Sequence, residues 1–168
     1  MPASFLIWCI FFSAPAAEPS PWVRAPYVQN VTKTAFSLLW ETAQTQNCTA
    51  SIRSPDENTW ELASGPAAEH EVRFEGLAPS TRYAYEIRCT NSIFRGFTRT
   101  APPPSEPFTF LVYGDTRHGH MMHRALVQVL AFESMSFVLH TGDFVDDGMR
   151  RVNWIRFFDI AHPFMRRV

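Results

Sequence analysis

Asp115 and Asp143 each follow a glycine at the end of a short apolar run. Phe108-Thr109-Phe110-Leu111-Val112-Tyr113 leads into Gly114-Asp115, and Phe137-Val138-Leu139-His140-Thr141 leads into Gly142-Asp143. Two carboxylates at matched positions repel each other unless a positive charge lies between them, and hard metal ions, which prefer oxygen ligands, are the usual answer. The pattern therefore points to a metal site with Asp115 and Asp143 as ligands. The blander alternative is helix capping, because an aspartate after a strand can accept hydrogen bonds from the free amides of a first helical turn. Three histidines, His118, His120 and His123, stand close to the first aspartate and weigh toward the metal.

Positioning the two aspartates requires particular elements. Each apolar run is β-branched and aromatic without clean alternation, as in a strand buried on both faces. Between the runs Met122, Ala125, Leu126, Val129 and Leu130 recur at helical spacing, which makes the unit a βαβ crossover with parallel strands. Parallel strands put their carboxyl ends on one edge of the sheet, where ligands sit in open α/β folds, so both aspartates leave on the same side. His140 is expected to be a hydrogen-bonded core histidine. Beyond Gly148, Val152, Trp154, Ile155 and Phe158 form a helical face that is expected to end before Pro163.

The upstream half has a different grammar. Strand-like runs at 27–31, 35–40, 48–54, 59–63, 69–74, 83–90 and 93–98 alternate with turn signals, a spacing that suggests a β-sandwich. Residues 76–85 resemble the fibronectin type III form of the tyrosine corner, with Tyr83 as the corner and Trp40, Phe36 and Leu38 on the core face. In that topology Cys48 and Cys89 lie on antiparallel neighbours, so a disulfide between them is expected; two free buried thiols are the alternative. His70 is expected on the surface of its strand. Residues 101–107, with four prolines, form a stiff spacer and mark the boundary.

The 168-residue chain carries a net charge of -1, so nothing points to nucleic acid or an anionic membrane as partner, and 46 % hydrophobic residues suffice for a core. The apolar run at 5–12, followed by Ala14-Pro15-Ala16, suits a signal peptide at 1–17, although no Lys or Arg precedes Arg24. Export to a periplasm or the exterior is expected, with no membrane segment in the mature chain. An even pair of cysteines after removal of Cys9 agrees with an oxidising compartment.

Taken together, these residues resemble the purple acid phosphatase branch of the calcineurin-like metallophosphoesterases. The resemblance rests on a start at Ala25-Pro26-Tyr27-Val28-Gln29-Asn30-Val31, the corner at 77–85, the proline spacer and the two Gly-Asp motifs. It implies a fibronectin type III-like β-sandwich at 18–100, then the first βαβ part of an α/β metallophosphoesterase domain at 108–168. By position, Asp115 would bind one metal and Asp143 would bridge a pair of the Fe, Zn or Mn class. The substrate would be a phosphate ester, attacked by metal-held hydroxide. Arg117 could clamp a phosphate oxygen and His120 could donate a proton to the leaving oxygen, which makes them the catalytic candidates.

The sequence departs from that family in three places. Thr116-Arg117 stands where the wider superfamily often has a histidine two residues after the aspartate. Asp146 takes the place of the family's tyrosine, so a colourless protein is expected and Asp146 becomes a metal ligand or a turn and cap residue. The Gly-Asn-His segment that completes the family's site is missing, which implies a truncated chain or gene fragment with little activity. The rival expectation is a secreted, non-catalytic fibronectin-like binding module carrying a degenerate remnant.

Overall fold

Alternating apolar and polar residues build the first half as one antiparallel sheet that curls on itself. The structure, a computed structural model, describes residues 20–168; the signal-peptide expectation at 1–17 lies outside the described residues. The strands are β1 (Trp22–Gln29), β2 (Phe36–Arg53), β3 (Thr59–Phe74), β4 (Arg82–Cys89) and β5 (Ser92–Arg99). Along one side β2 pairs with β3 over its length; along the other it pairs first with β1 and then with β4. The change of partner falls at register shifts between Glu41 and Cys48. These bulges bend the strand without ending it.

The expected seven strands are therefore five in the structure. The runs at 35–40 and 48–54 belong to β2, and those at 59–63 and 69–74 to β3. The polar run after Trp40 and Gly65-Pro66 had the composition of turns, yet each sits in a bulge of a continuous strand.

The core inside the curl holds Phe36, Leu38, Trp40, Ile52, Tyr83 and Ile87, each at most 1 % exposed. The Tyr83 hydroxyl accepts a hydrogen bond from Ala78 N–H at 3.0 Å, closing the corner. Cys48 and Cys89 are ladder partners joined by a disulfide. His70 corrects the surface expectation. It is 4 % exposed, stacked on Trp40 at 4.9 Å and hydrogen-bonded to Ser64 Oγ at 2.7 Å. Burial pushes its pKa down.

The second half runs β6 (Phe110–Tyr113), α1 (His120–Leu130), β7 (Phe137–His140) and α2 (Arg151–Met165). β6 and β7 pair in parallel, but they are not buried on both faces: Phe110, Val112, Phe137 and Leu139 are exposed, while Leu111, Tyr113 and Val138 pack on the helices. The face of α1 is also rotated from expectation. His123 and Val127 are buried, whereas Met122 is 75 % exposed and Val129 67 %. α2 does not stop before Pro163 but passes through it, burying Phe157, Ile160, Ala161 and Phe164.

The curled sheet, which stands in the structure where a two-sheet sandwich was expected, explains that last turn of helix. The Tyr85 hydroxyl donates to Arg166 O at 2.5 Å and the Thr98 hydroxyl to Arg167 O at 3.0 Å, satisfying carbonyls that a helix end leaves without partners. His162 Nε2 donates to Pro26 O at 3.0 Å, and Phe158 packs on Tyr27 with ring centroids 5.1 Å apart.

Candidate functional site

The β6–β7 ladder continues past the ends of both strands. Thr141 N–H donates to Tyr113 O at 2.9 Å, Asp115 N–H to Gly142 O at 3.1 Å and Thr116 N–H to Asp143 O at 3.0 Å. Gly114 permits this approach, because a Cβ there would lie 2.1 Å from Thr141 Oγ1. The register pairs Tyr113 with His140, so Asp143 falls one residue beyond the partner of Asp115. In regular strands that stagger would send the two side chains to opposite faces. Both aspartates instead adopt left-handed backbone, φ 56° at Asp115 and 54° at Asp143. Aspartate tolerates that region better than most residues, and such strain tends to collect at working sites.

The two carboxylates share one cation, the Arg117 guanidinium. Its Nε lies 3.8 Å from Asp115 Oδ1 and its Nη1 3.4 Å from Asp143 Oδ1. All three side chains are substantially exposed, so solvent screens the attraction and the pairs stabilise the fold by well under about 1 kcal/mol. Neither aspartate caps a helix. The N-caps are Gly119 for α1 and Arg150 for α2, and neither makes a side-chain cap bond. The capping explanation of the two Gly-Asp motifs is thereby removed.

A polar brace holds the tips from beneath. His140 Nδ1 accepts from Gly142 N–H at 3.2 Å, which leaves its Nε2–H to donate to Thr116 Oγ1 at 3.0 Å. The Thr116 hydroxyl in turn donates to Phe144 O at 3.1 Å. Thr116 is 4 % exposed and His140 stacks on Phe144 at 3.9 Å. With both ring nitrogens engaged and burial lowering its pKa, His140 is a neutral structural brace. Thr116 had no signal in the sequence, since a threonine after Gly-Asp matches neither strand nor helix periodicity.

The other candidates are spread around this pair. His118 Nε2 lies 3.2 Å from Asp146 Oδ1, so Asp146 engages a histidine and no helix end; the turn-forming aspartate is Asp147, which accepts Met149 N–H at 2.9 Å. His120 Nε2 lies 3.1 Å from Arg156 Nη1. His123 is buried among Tyr113 and Phe157 with no partner for its Nε2, and burial, reinforced by His140, His120 and Arg124, pushes its pKa down to about 4. His123 therefore takes a core position, neither a ligand nor a surface one.

Tested against a two-metal centre, this donor set does not fit. Two hard cations need roughly a dozen ligand positions, several of them fixed protein atoms. Among the described residues no group of three or more His, Cys, Asp or Glu side chains is gathered to hold a metal. What the chain supplies is a carboxylate pair whose charge one arginine offsets by half.

No family model and no curated protein sequence matches the chain. Among solved structures, that of PhoD superposes with a TM-score of 0.69 at 16% identity over 92% of this chain and 39% of that one. The likeness is therefore one of fold, and the chain spans about two fifths of that structure. The fn3 domain of human collagen alpha-1(XX) gives a TM-score of 0.42 at 18% identity, over 58% of this chain and 94% of that domain. The FN5 domain of Drosophila Lar gives 0.38 at 11% identity, over 48% of this chain and 95% of that domain.

Proposed function

We propose that this chain is related to phosphoric ester hydrolases and carries the first, carboxylate part of such a site. The observation that supports this most is the convergence of Asp115 and Asp143, in matching left-handed turns, on one guanidinium at a single edge of the parallel pair. The fold likeness to PhoD, over 92% of this chain, agrees with it. A disulfide and an apolar N-terminal run agree with an exported protein.

The chain's own residues do three things. Asp115 and Asp143 present oxygen donors side by side, Arg117 holds their charge, and the Thr116–His140 brace fixes the backbone that aims them. Because the described residues do not hold a metal pair, a complete site needs donors beyond them. The rival, a fibronectin-like binding module with an inert remnant, is favoured by the exposure of the pair and by that missing ligand set.

Hydrolysis of an aryl phosphate by the wild type and Asp143→Asn, with Mn, Zn and Fe salts added, tests the proposal. The expected rate is close to background, with any excess requiring metal and absent from Asp143→Asn. A turnover of about 1 per second or more, ordinary for enzymes, would show the site to be complete. Hydrolysis indifferent to Asp143→Asn would remove the phosphoesterase assignment.

A further inference from the structure

The opposite end of β6 borders a concavity. A cleft of about 490 Å³ lies between β4–β5 of the sheet and the segments that enter β6 and β7. Its size suits a small organic ligand. Arg82, Arg99 and Arg167 line it, against one glutamate, Glu133.

Arg82 and Arg99 are direct cross-strand partners. Like charges placed opposite each other on a sheet destabilise it unless a counter-charge intervenes. Among the described residues neither arginine lies within ion-pair distance of a carboxylate. Arg167 adds to the imbalance. Its Nη2 donates to Ala131 O and at 3.3 Å to Glu133 O, while its Nε is buried without an acceptor.

The remaining wall is apolar and aromatic. The Arg82 guanidinium lies over the Phe97 ring at 3.8 Å, and Phe97 and Phe108 also line the cleft at 40 % and 56 % exposure. A guanidinium fixed on an aromatic face keeps its donor edge free for a planar oxyanion. We infer that this cleft binds an oxyanion carried on an apolar body, with Arg82 and Arg99 as its forked donors and Phe97 and Phe108 against the apolar part. That chemistry is shared by a soluble aryl phosphate and a phospholipid headgroup.

The test uses the whole chain in chelator, so that phosphate held by a metal at Asp115 and Asp143 does not contribute. 1-Naphthyl phosphate and vesicles containing phosphatidic acid are titrated in parallel, with 1-naphthol as the uncharged control. Expected is saturable binding of at least one phosphate probe, shifting the resonances of Phe97 and Phe108 and weakening about tenfold in Arg82→Ala and in Arg99→Ala. Asp143→Asn leaves it unchanged. Binding of naphthyl phosphate assigns a soluble ligand; binding of vesicles alone assigns a headgroup. Both arginines are on the surface, and the wild-type shift map stands even if a variant misfolds. Absence of saturable binding, equal binding of naphthol, or shifts centred on Asp115 and Asp143 overturns the inference.

Discussion

Burial makes His123 sensitive to pH. Its ring sits in the apolar layer between α1, β6 and α2 with a pKa near 4, whereas the unfolded chain returns it to the ordinary histidine range. Between those two values the unfolded state binds a proton that the folded state refuses, so the stability is present at neutral pH and lost as pH falls through that window. His70, His140 and His162 shift in the same direction through burial. Thermal unfolding should therefore occur at a clearly lower temperature at pH 5 than at pH 7.5, and His123→Phe should flatten part of the difference. A melting temperature independent of pH over that range would contradict the buried position. The sequence pattern treats histidine as polar, so a stripe running through His123 and Val127 is invisible to it. The apolar Met122 and Val129 drew the expected face to the solvent side instead.

At the scale of the element, the meeting of β6 and β7 depends on a missing side chain. Gly114→Ala would place its Cβ 2.1 Å from Thr141 Oγ1 and 3.3 Å from the Thr141 backbone nitrogen. Overpacking of this kind typically destabilises by about 1–3 kcal/mol. Thr141→Ala in the same chain should recover part of that loss, as measured by chemical denaturation. Additive losses in the double variant would show that the two residues do not touch. The crossover was legible in the sequence because two apolar runs end in the same dipeptide with a helical stretch between them. The convergence of Asp115 and Asp143 was less so, since it depends on a one-residue stagger and two left-handed turns. Continuous β2 and β3, and α2 passing through Pro163, were hidden because partner strands and the sheet hydroxyls that anchor the helix-end carbonyls override local turn and breaker signals.

In the whole molecule, a carboxylate ties the two halves together. Glu41 on β2 has a side chain only 5 % exposed, paired with Arg24 of β1 at 2.7 Å and with Arg151 at the start of α2. Removing one member of a buried ion group leaves charge without compensation, typically destabilising by about 3–5 kcal/mol. Arg24 and Arg151 are partly exposed, so Glu41→Gln should fall below that range, at about 1–3 kcal/mol, and should loosen α2 in hydrogen exchange before the sheet core. Uniform protection loss would contradict a tie between α2 and the sheet at this contact. The central claim, that Asp115 and Asp143 form one incomplete cation site now held by Arg117, is tested most directly by titrating the chain with Mn²⁺ and counting bound ions by electron paramagnetic resonance. The account predicts no more than one ion per chain, bound at least about tenfold more weakly in Asp143→Asn and more tightly in Arg117→Ala, where the competing guanidinium is gone. Two tightly held ions in the wild type, or binding indifferent to both substitutions, would contradict it.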